Sequence, residues 1–271
     1  MSTLLIRSIT GAFFGIVVIA SILLGTHYLA ILFGILLSLG LWEYSLLFKQ
    51  KSNSISPIQT TIIGVAIYFL LVYHECLKIN QKLVTPLITS ILFVQFVKEL
   101  WLKKENPIIA SSLTTFSIFY LVLPFYIVNL FENTQFQNFP VLLGLIILIW
   151  TNDTFAYLVG SKIGKTPLFE RISPKKTIEG TIGGIFFTFI AAVIIGYFSK
   201  TEDLFFWIIS AVICSIFAVL GDLLESLFKR SIDIKDTGNI LPGHGGILDR
   251  FDALIFTIPF FYIWFEIYKS L

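Results

Sequence analysis

Leu204-Phe-Phe-Trp-Ile-Ile-Ser-Ala-Val-Ile-Cys-Ser-Ile-Phe-Ala-Val-Leu-Gly221 runs without a charge and without alternation of apolar and polar residues. A helix needs roughly 20 apolar residues to cross a bilayer, whereas a spanning strand alternates its faces. The stretch therefore predicts a membrane helix. Asp222 and Glu225 close it, and the chemistry then changes. The next segment is Ser226-Leu-Phe-Lys-Arg-Ser-Ile-Asp-Ile-Lys-Asp-Thr-Gly-Asn-Ile-Leu-Pro-Gly-His-Gly-Gly-Ile-Leu-Asp-Arg-Phe-Asp252. Acids (Asp233, Asp236, Asp249, Asp252) and bases (Lys229, Arg230, Lys235, Arg250) surround its Pro242-to-Gly246 turn. A chain that only crosses the bilayer has no need of such a segment. One that handles a phosphorylated substrate with a metal ion does.

The composition sets the class. Of 271 residues, 56% are hydrophobic and 13% charged, and the mean hydropathy is +0.88. A soluble domain carries about 25% charge. The fold expected is an all-α integral membrane protein. A net charge of +2 gives no field for nucleic acid. Cys76 and Cys214 are not expected to pair. The first apolar run lacks a small-residue cleavage site and reads as a retained span.

Nine transmembrane helices are expected, at about 8–25, 28–48, 57–73, 83–97, 107–130, 139–160, 180–198, 204–221 and 251–268. With the N-terminus inside and the C-terminus outside, only Lys78, Lys82, Lys200 and Lys269 of the 19 Lys and Arg fall outside, as the positive-inside rule asks. No internal repeat of the transporter kind is visible. Residues 1–138 read as a scaffold of five spans. Residues 139–271 read as a catalytic part of four, with cytoplasmic loops at 160–180 and 221–250. The compact chain suggests a bacterial inner membrane, with the active site facing the cytoplasm.

Acids inside spans are costly and mark function. Glu43, Asp153, Asp222 and Glu225 stand near the cytoplasmic ends of spans 2, 6 and 8, and span 9 starts there with Asp249 and Asp252. Asp153, Asp222 and Asp249 are the strongest candidates, because structural acids seldom gather at one depth from three spans. Asp153, Tyr157 and Gly160 fall on one helical stripe. Between Gly160 and Gly180 the lysines, Lys165, Lys175 and Lys176 among them, suit a polyphosphate. Ser173-Pro174 reads as the cap and first residue of a helix, whose N-terminus binds anions. Gly243, Gly245 and Gly246 can turn backbone N–H groups into a phosphate nest. Carboxylates suit Mg²⁺, and nothing resembles a zinc site. The reaction class is metal-assisted phosphoryl or nucleotidyl transfer.

Blander roles stand beside these. Lysine-rich inner loops are what topology demands in any case. Glu43 can equally pair with a base or cap a helix, and Glu225 with Lys229 forms an ordinary i, i+4 pair. His244 reads as more than a spacer but not as a metal ligand. Intramembrane acids also occur in transporters, but here they stop at one side of the membrane.

Three blocks resemble the phosphatidate cytidylyltransferase (CDP-diacylglycerol synthase) family. They are Ser226-Leu-Phe-Lys-Arg230 with Lys235-Asp236 and Leu241-Pro-Gly-His-Gly-Gly-Ile-Leu-Asp-Arg-Phe-Asp252; Asp153-Thr-Phe-Ala-Tyr157 with Gly160 to Lys165; and Ser173-Pro-Lys-Lys-Thr-Ile-Glu-Gly180. The family often has an aromatic residue where Ile178 stands. The likeness covers roughly 139–252. It implies condensation of CTP with phosphatidic acid to CDP-diacylglycerol and pyrophosphate, dependence on Mg²⁺ with a monovalent cation such as K⁺, and a homodimer of nine-span subunits. By motif position Asp222 and Asp249 bind the metal, and Lys175, Lys176 and Thr177 contact nucleotide phosphates. Lys229, Arg250 and His244 complete the expected catalytic set. Asp153, Tyr157, Lys165, Ser173, Arg230, Lys235, Gly245 and Gly246 join the expected substrate-binding set. Tail chemistry stays open: an ether-lipid cytidylyltransferase or a polyprenol kinase has similar needs.

Overall fold

The computed structural model describes residues 3–52, 55–102, 106–131, 135–136, 139–199, 204–234, 237–238 and 245–271. Its helices are α1 (Thr3–Leu24), α2 (Thr26–Ser52), α3 (Pro57–Tyr73), α4 (Gln81–Lys98), α5 (Pro107–Ser117), α6 (Leu123–Leu130), α7 (Val141–Ile163), α8 (Ile178–Phe198), α9 (Leu204–Ser231) and α10 (Leu248–Ser270). Among the described residues six segments are long and apolar enough to cross a membrane: Thr26–Lys49, Pro107–Leu130, Val141–Ile163, Ile178–Phe198, Leu204–Ser231 and Leu248–Ser270. Thr10–Leu24 and Pro57–Tyr73 are shorter apolar helices. Large side chains such as Phe119, Phe186 and Ile182 stand exposed on these helices, as lipid contact allows and water does not. The chain is an integral membrane protein built of helices.

The chain folds into two compact units, 1–130 with 236–249, and 131–235 with 250–271. In the first, local signals set the helix ends. Gly25, with φ +100°, separates α1 from α2 in a conformation other residues avoid. Pro57 and Pro107 open α3 and α5, where a missing N–H costs nothing. Asn80 caps α4 by accepting from the Lys82 N–H at 3.0 Å. A π-helical turn, Ile118–Val122, joins α5 to α6. There the Leu123 N–H reaches Ile118 O, one residue further than in an α-helix, just before Pro124. The wider turn accommodates a residue that cannot donate and that crowds the preceding turn. Phe33, Leu37, Leu41, Ile67, Leu121 and Phe125 fill the core. Tyr68 ties it together: its hydroxyl donates to Ala30 O at 3.0 Å and accepts from Asn129 Nδ2 at 2.9 Å.

In the second unit α7 and α8 meet along small residues. A Cβ on Gly180 would lie 2.6 Å from Ala156 O, and one on Gly184 2.8 Å from Asn152 O. Close backbone approach of this kind is how helices associate in lipid. Phe206, Trp207, Phe261 and Phe265 are buried between α9 and α10, and Phe206 packs on Trp207, Phe261 and Phe265.

Two expectations change here. Ser173 does not cap a helix. Strands β1 (Gln135–Phe136) and β2 (Phe139–Pro140) pair ahead of α7, and residues Ser173–Thr177 form strand β4, paired antiparallel with β3 (Pro167–Phe169) in the register Pro167 to Thr177 and Phe169 to Ser173. A residue before proline is pushed towards extended backbone, so Ser173-Pro174 favours a strand. The cap is Thr177, whose Oγ1 accepts from the Gly180 N–H at 3.2 Å. Thr177→Ala is expected to cost about 1 kcal/mol, seen as a drop of about 2–4 °C in the nucleotide-free unfolding midpoint in detergent. The second change is that residues 221–231 are not loop. Helix α9 runs on to Ser231, supported by Glu225–Lys229 at i, i+4 and by basic residues in its last turn, where they suit the helix dipole.

Candidate active site

The second unit gathers charge from four elements. Asp153 comes from α7, Lys176 from β4, Asp222 and Glu225 from α9, and Arg250 and Asp252 from α10. Gly221 lets α9 and α10 touch there, since a Cβ would lie 2.6 Å from Asp252 O and 2.7 Å from Phe256 Cβ. Lys176 Nζ forms an ion pair with Asp222 Oδ2. Asp153, Asp222 and Asp252 lie within electrostatic reach of one another, with Lys176 and Arg250 opposing their charge. Glu225 Oε2 holds Lys229 Nζ at 3.1 Å in a nearly buried pair. Lys229 is thus spent on Glu225. The Ser226 hydroxyl donates to Asp222 Oδ1 at 3.4 Å.

Beside this cluster the hairpin is fastened at both ends. Glu179, in the first turn of α8, accepts from the Lys165 and Thr166 N–H groups at 3.1 and 3.2 Å and from the Thr166 hydroxyl at 2.9 Å. Arg230 donates to Ile234 O at 3.0 Å and Ile172 O at 3.4 Å. The Lys165 and Lys175 residues stay exposed, open to an anion, as does Tyr157. Gly160 instead lies against Thr177 and Gly180.

The first unit holds an acidic arrangement of its own. Asp249 Oδ2 accepts from the Thr237 N–H (3.1 Å), the Thr237 hydroxyl (2.9 Å) and the Gly246 N–H (2.8 Å). Gly245, with φ +84°, turns the chain so that these bonds form. The Gly246 amide, expected to face phosphate, is bonded to this carboxylate. Lys235 and His244 lie outside the described residues.

Sequence reasoning named Asp252 among the acids at the start of span 9 but left it out of the site set, as it did Glu179 and Thr237. The spacing of Asp252 three residues after Asp249 was a usable signal, since both fall on α10. Thr237 had none, because its partner is reached only through the folded loop. Among the described residues no group of three or more His, Cys, Asp or Glu is placed to hold a metal. The donors that do gather, Asp153, Asp222, Asp252 and Glu225, are all carboxylates, which by chemistry fit a hard divalent cation and not a soft one.

Comparison with known proteins bears on this geometry. The chain is 47% identical to the phosphatidate cytidylyltransferase of Staphylococcus aureus (strain COL) over 131 residues, 48% of this chain and 50% of the relative. It is 46% identical to the phosphatidate cytidylyltransferase of Bacillus subtilis (strain 168) over 117 residues, 43% of this chain and 44% of the relative. These matches span about half the length of those relatives or less. With the phosphatidate cytidylyltransferase of Haemophilus influenzae (strain Rd) it shares 32% identity over 270 residues, 90% of this chain and 92% of the relative. The model of the cytidylyltransferase family matches residues 5–268. The chain belongs to the cytidylyltransferase family.

Proposed function

We propose that this chain is a phosphatidate cytidylyltransferase, joining CTP to phosphatidic acid to form CDP-diacylglycerol and pyrophosphate. The observation that carries the reading is the Lys176–Asp222 ion pair among the acids of α7, α9 and α10. It sets a cationic hairpin against a carboxylate cluster in a chain whose relatives bear that name. An oxygen of the lipid phosphate attacks the α-phosphorus of CTP. A new P–O bond forms, the bond to the β-phosphate breaks, and pyrophosphate leaves with the electron pair. No general base is needed, because a phosphate monoester with a second pKa of about 6 is largely dianionic at neutral pH.

The obstacle is charge, and the chain's cations meet it. Lys175 and Lys176 hold the triphosphate beside the N-terminus of α8, whose amides favour anions. Arg250 opposes the acids and steadies the approaching lipid phosphate. Lys165, Tyr157 and Arg230 line the approach, Arg230 by fixing the hairpin. A bound Mg²⁺, on Asp222 and Asp249 by motif position, would supply charge neutralisation for the leaving pyrophosphate. A monovalent cation belongs to the same expectation. The reading includes nine spans with N-in, C-out topology, a homodimer, a bacterial inner membrane and an active site open to the cytoplasm.

Acceptor choice tests the reading. Purified protein given CTP and Mg²⁺ is expected to turn over phosphatidate and to leave a prenyl phosphate and a free prenol unchanged. Turnover of the prenol with none of phosphatidate would replace this reading with a lipid kinase.

A further inference from the structure

In the first unit Glu43 lies in α2 and is 3% exposed. Its Oε2 accepts from the backbone N–H groups of Ile247 (2.7 Å) and Leu248 (3.2 Å), which stand 204 and 205 positions away. These amides open α10, where unsatisfied N–H groups and the helix dipole attract an anion. The preceding amide, Gly246, is held by Asp249. Three consecutive amides thus form a nest, and its anions are the protein's own carboxylates. The fit is close on every side. A Cβ on Gly246 would lie 2.6 Å from Glu43 Oε2, and one on Gly238 2.7 Å from Oε1. Oε1 itself is buried and has no hydrogen-bond partner among the described residues.

A buried carboxylate is an expensive way to begin a helix, because removing a charge from water costs several kcal/mol that the bonds it makes must offset. A serine or aspartate in the adjoining loop would cap α10 at lower cost. What Glu43 adds is a fixed attachment to a rigid helix. We propose that Glu43 is a positioning residue for the reaction. By gripping the Ile247 and Leu248 amides it fixes the backbone from which Asp249 projects and keeps that carboxylate in one orientation. The inference rests on the functional reading above, in which Asp249 serves catalysis.

The test uses full-length protein in detergent as wild type, Glu43→Gln, Glu43→Ala and Tyr68→Phe. Tyr68 is the control, a buried residue of the same unit whose hydroxyl joins Ala30 and Asn129. Rates are measured with phosphatidate over a range of CTP, together with unfolding midpoints and amide hydrogen exchange across 245–252. Glu43→Gln keeps the shape and one acceptor but loses the charge assistance of both bonds. It is expected to lower kcat about 10-fold or more while the KM for CTP moves less than about 3-fold. Exchange at Ile247 and Leu248 should rise with it. Tyr68→Phe should lower the midpoint with kcat and exchange in this segment unchanged. Glu43→Ala should exceed Glu43→Gln; if it does not fold, the isosteric variant decides. Wild-type kcat in Glu43→Gln, or equal kcat loss in Tyr68→Phe, overturns the proposal. An inactive wild type would instead overturn the functional reading, while exchange still reports whether the clamp exists.

Discussion

Asp222→Asn is expected to lower turnover of CTP and phosphatidate about 10²–10³-fold, the range for losing one preorganised electrostatic group at a reacting centre. The substitution keeps size and shape, so α9 should stay intact. It removes the charge that pairs with Lys176 and that belongs to the cluster with Asp153 and Asp252. Lys176 is then freed from its ion pair, while the acid that the motif assigns to the metal is neutral. The two effects separate in kinetics. Loss of the metal acid lowers kcat, and a freed lysine leaves the KM for CTP unchanged or lower. Initial rates with labelled CTP, beside an unfolding midpoint, decide between them. An Asp222→Asn protein with wild-type kcat would remove Asp222 from the reaction.

The largest expected structural effect is at Gly184. A side chain there meets backbone, since Asn152 O stands 2.8 Å from the Cβ position and Ala156 Cβ 3.1 Å. Backbone cannot swing aside as a flexible side-chain tip can, so α7 and α8 must separate along their seam. Gly184→Leu is expected to cost about 3 kcal/mol or more, at or beyond the upper end for overpacking, and to leave little monodisperse protein on size-exclusion chromatography. Ile182→Leu, two residues away on a 60% exposed position, should behave as wild type. Normal recovery of Gly184→Leu would contradict the close α7–α8 seam.

The helices were readable because their apolar runs are continuous; α7, α8, α9 and α10 lie where those runs fall. Their polar ends were not. Helix α9 was expected to stop at Gly221, yet it continues to Ser231, because charged residues four apart hold a helix as well as apolar ones do. At the start of α8, proline chemistry was read as a helix opening when it favours the strand. Of the site, the acids and lysines were legible as types that do not belong in apolar spans. The Glu225–Lys229 pair was legible too, from its i, i+4 spacing. That Lys176 meets Asp222 was not, because it follows from which faces of β4 and α9 meet. Glu43 was recognised as unusual, but its partners lie 204 and 205 residues on, beyond any local pattern.

The most direct test of the central claim follows two labels through one reaction. Wild-type protein is given phosphatidate, Mg²⁺ and CTP carrying one label on its α-phosphate and another on its γ-phosphate. Nucleotidyl transfer puts the α-label in the lipid fraction and the γ-label in pyrophosphate, in equal amounts. The γ-label appearing in the lipid, with CDP released, would mean phosphoryl transfer and would contradict the account.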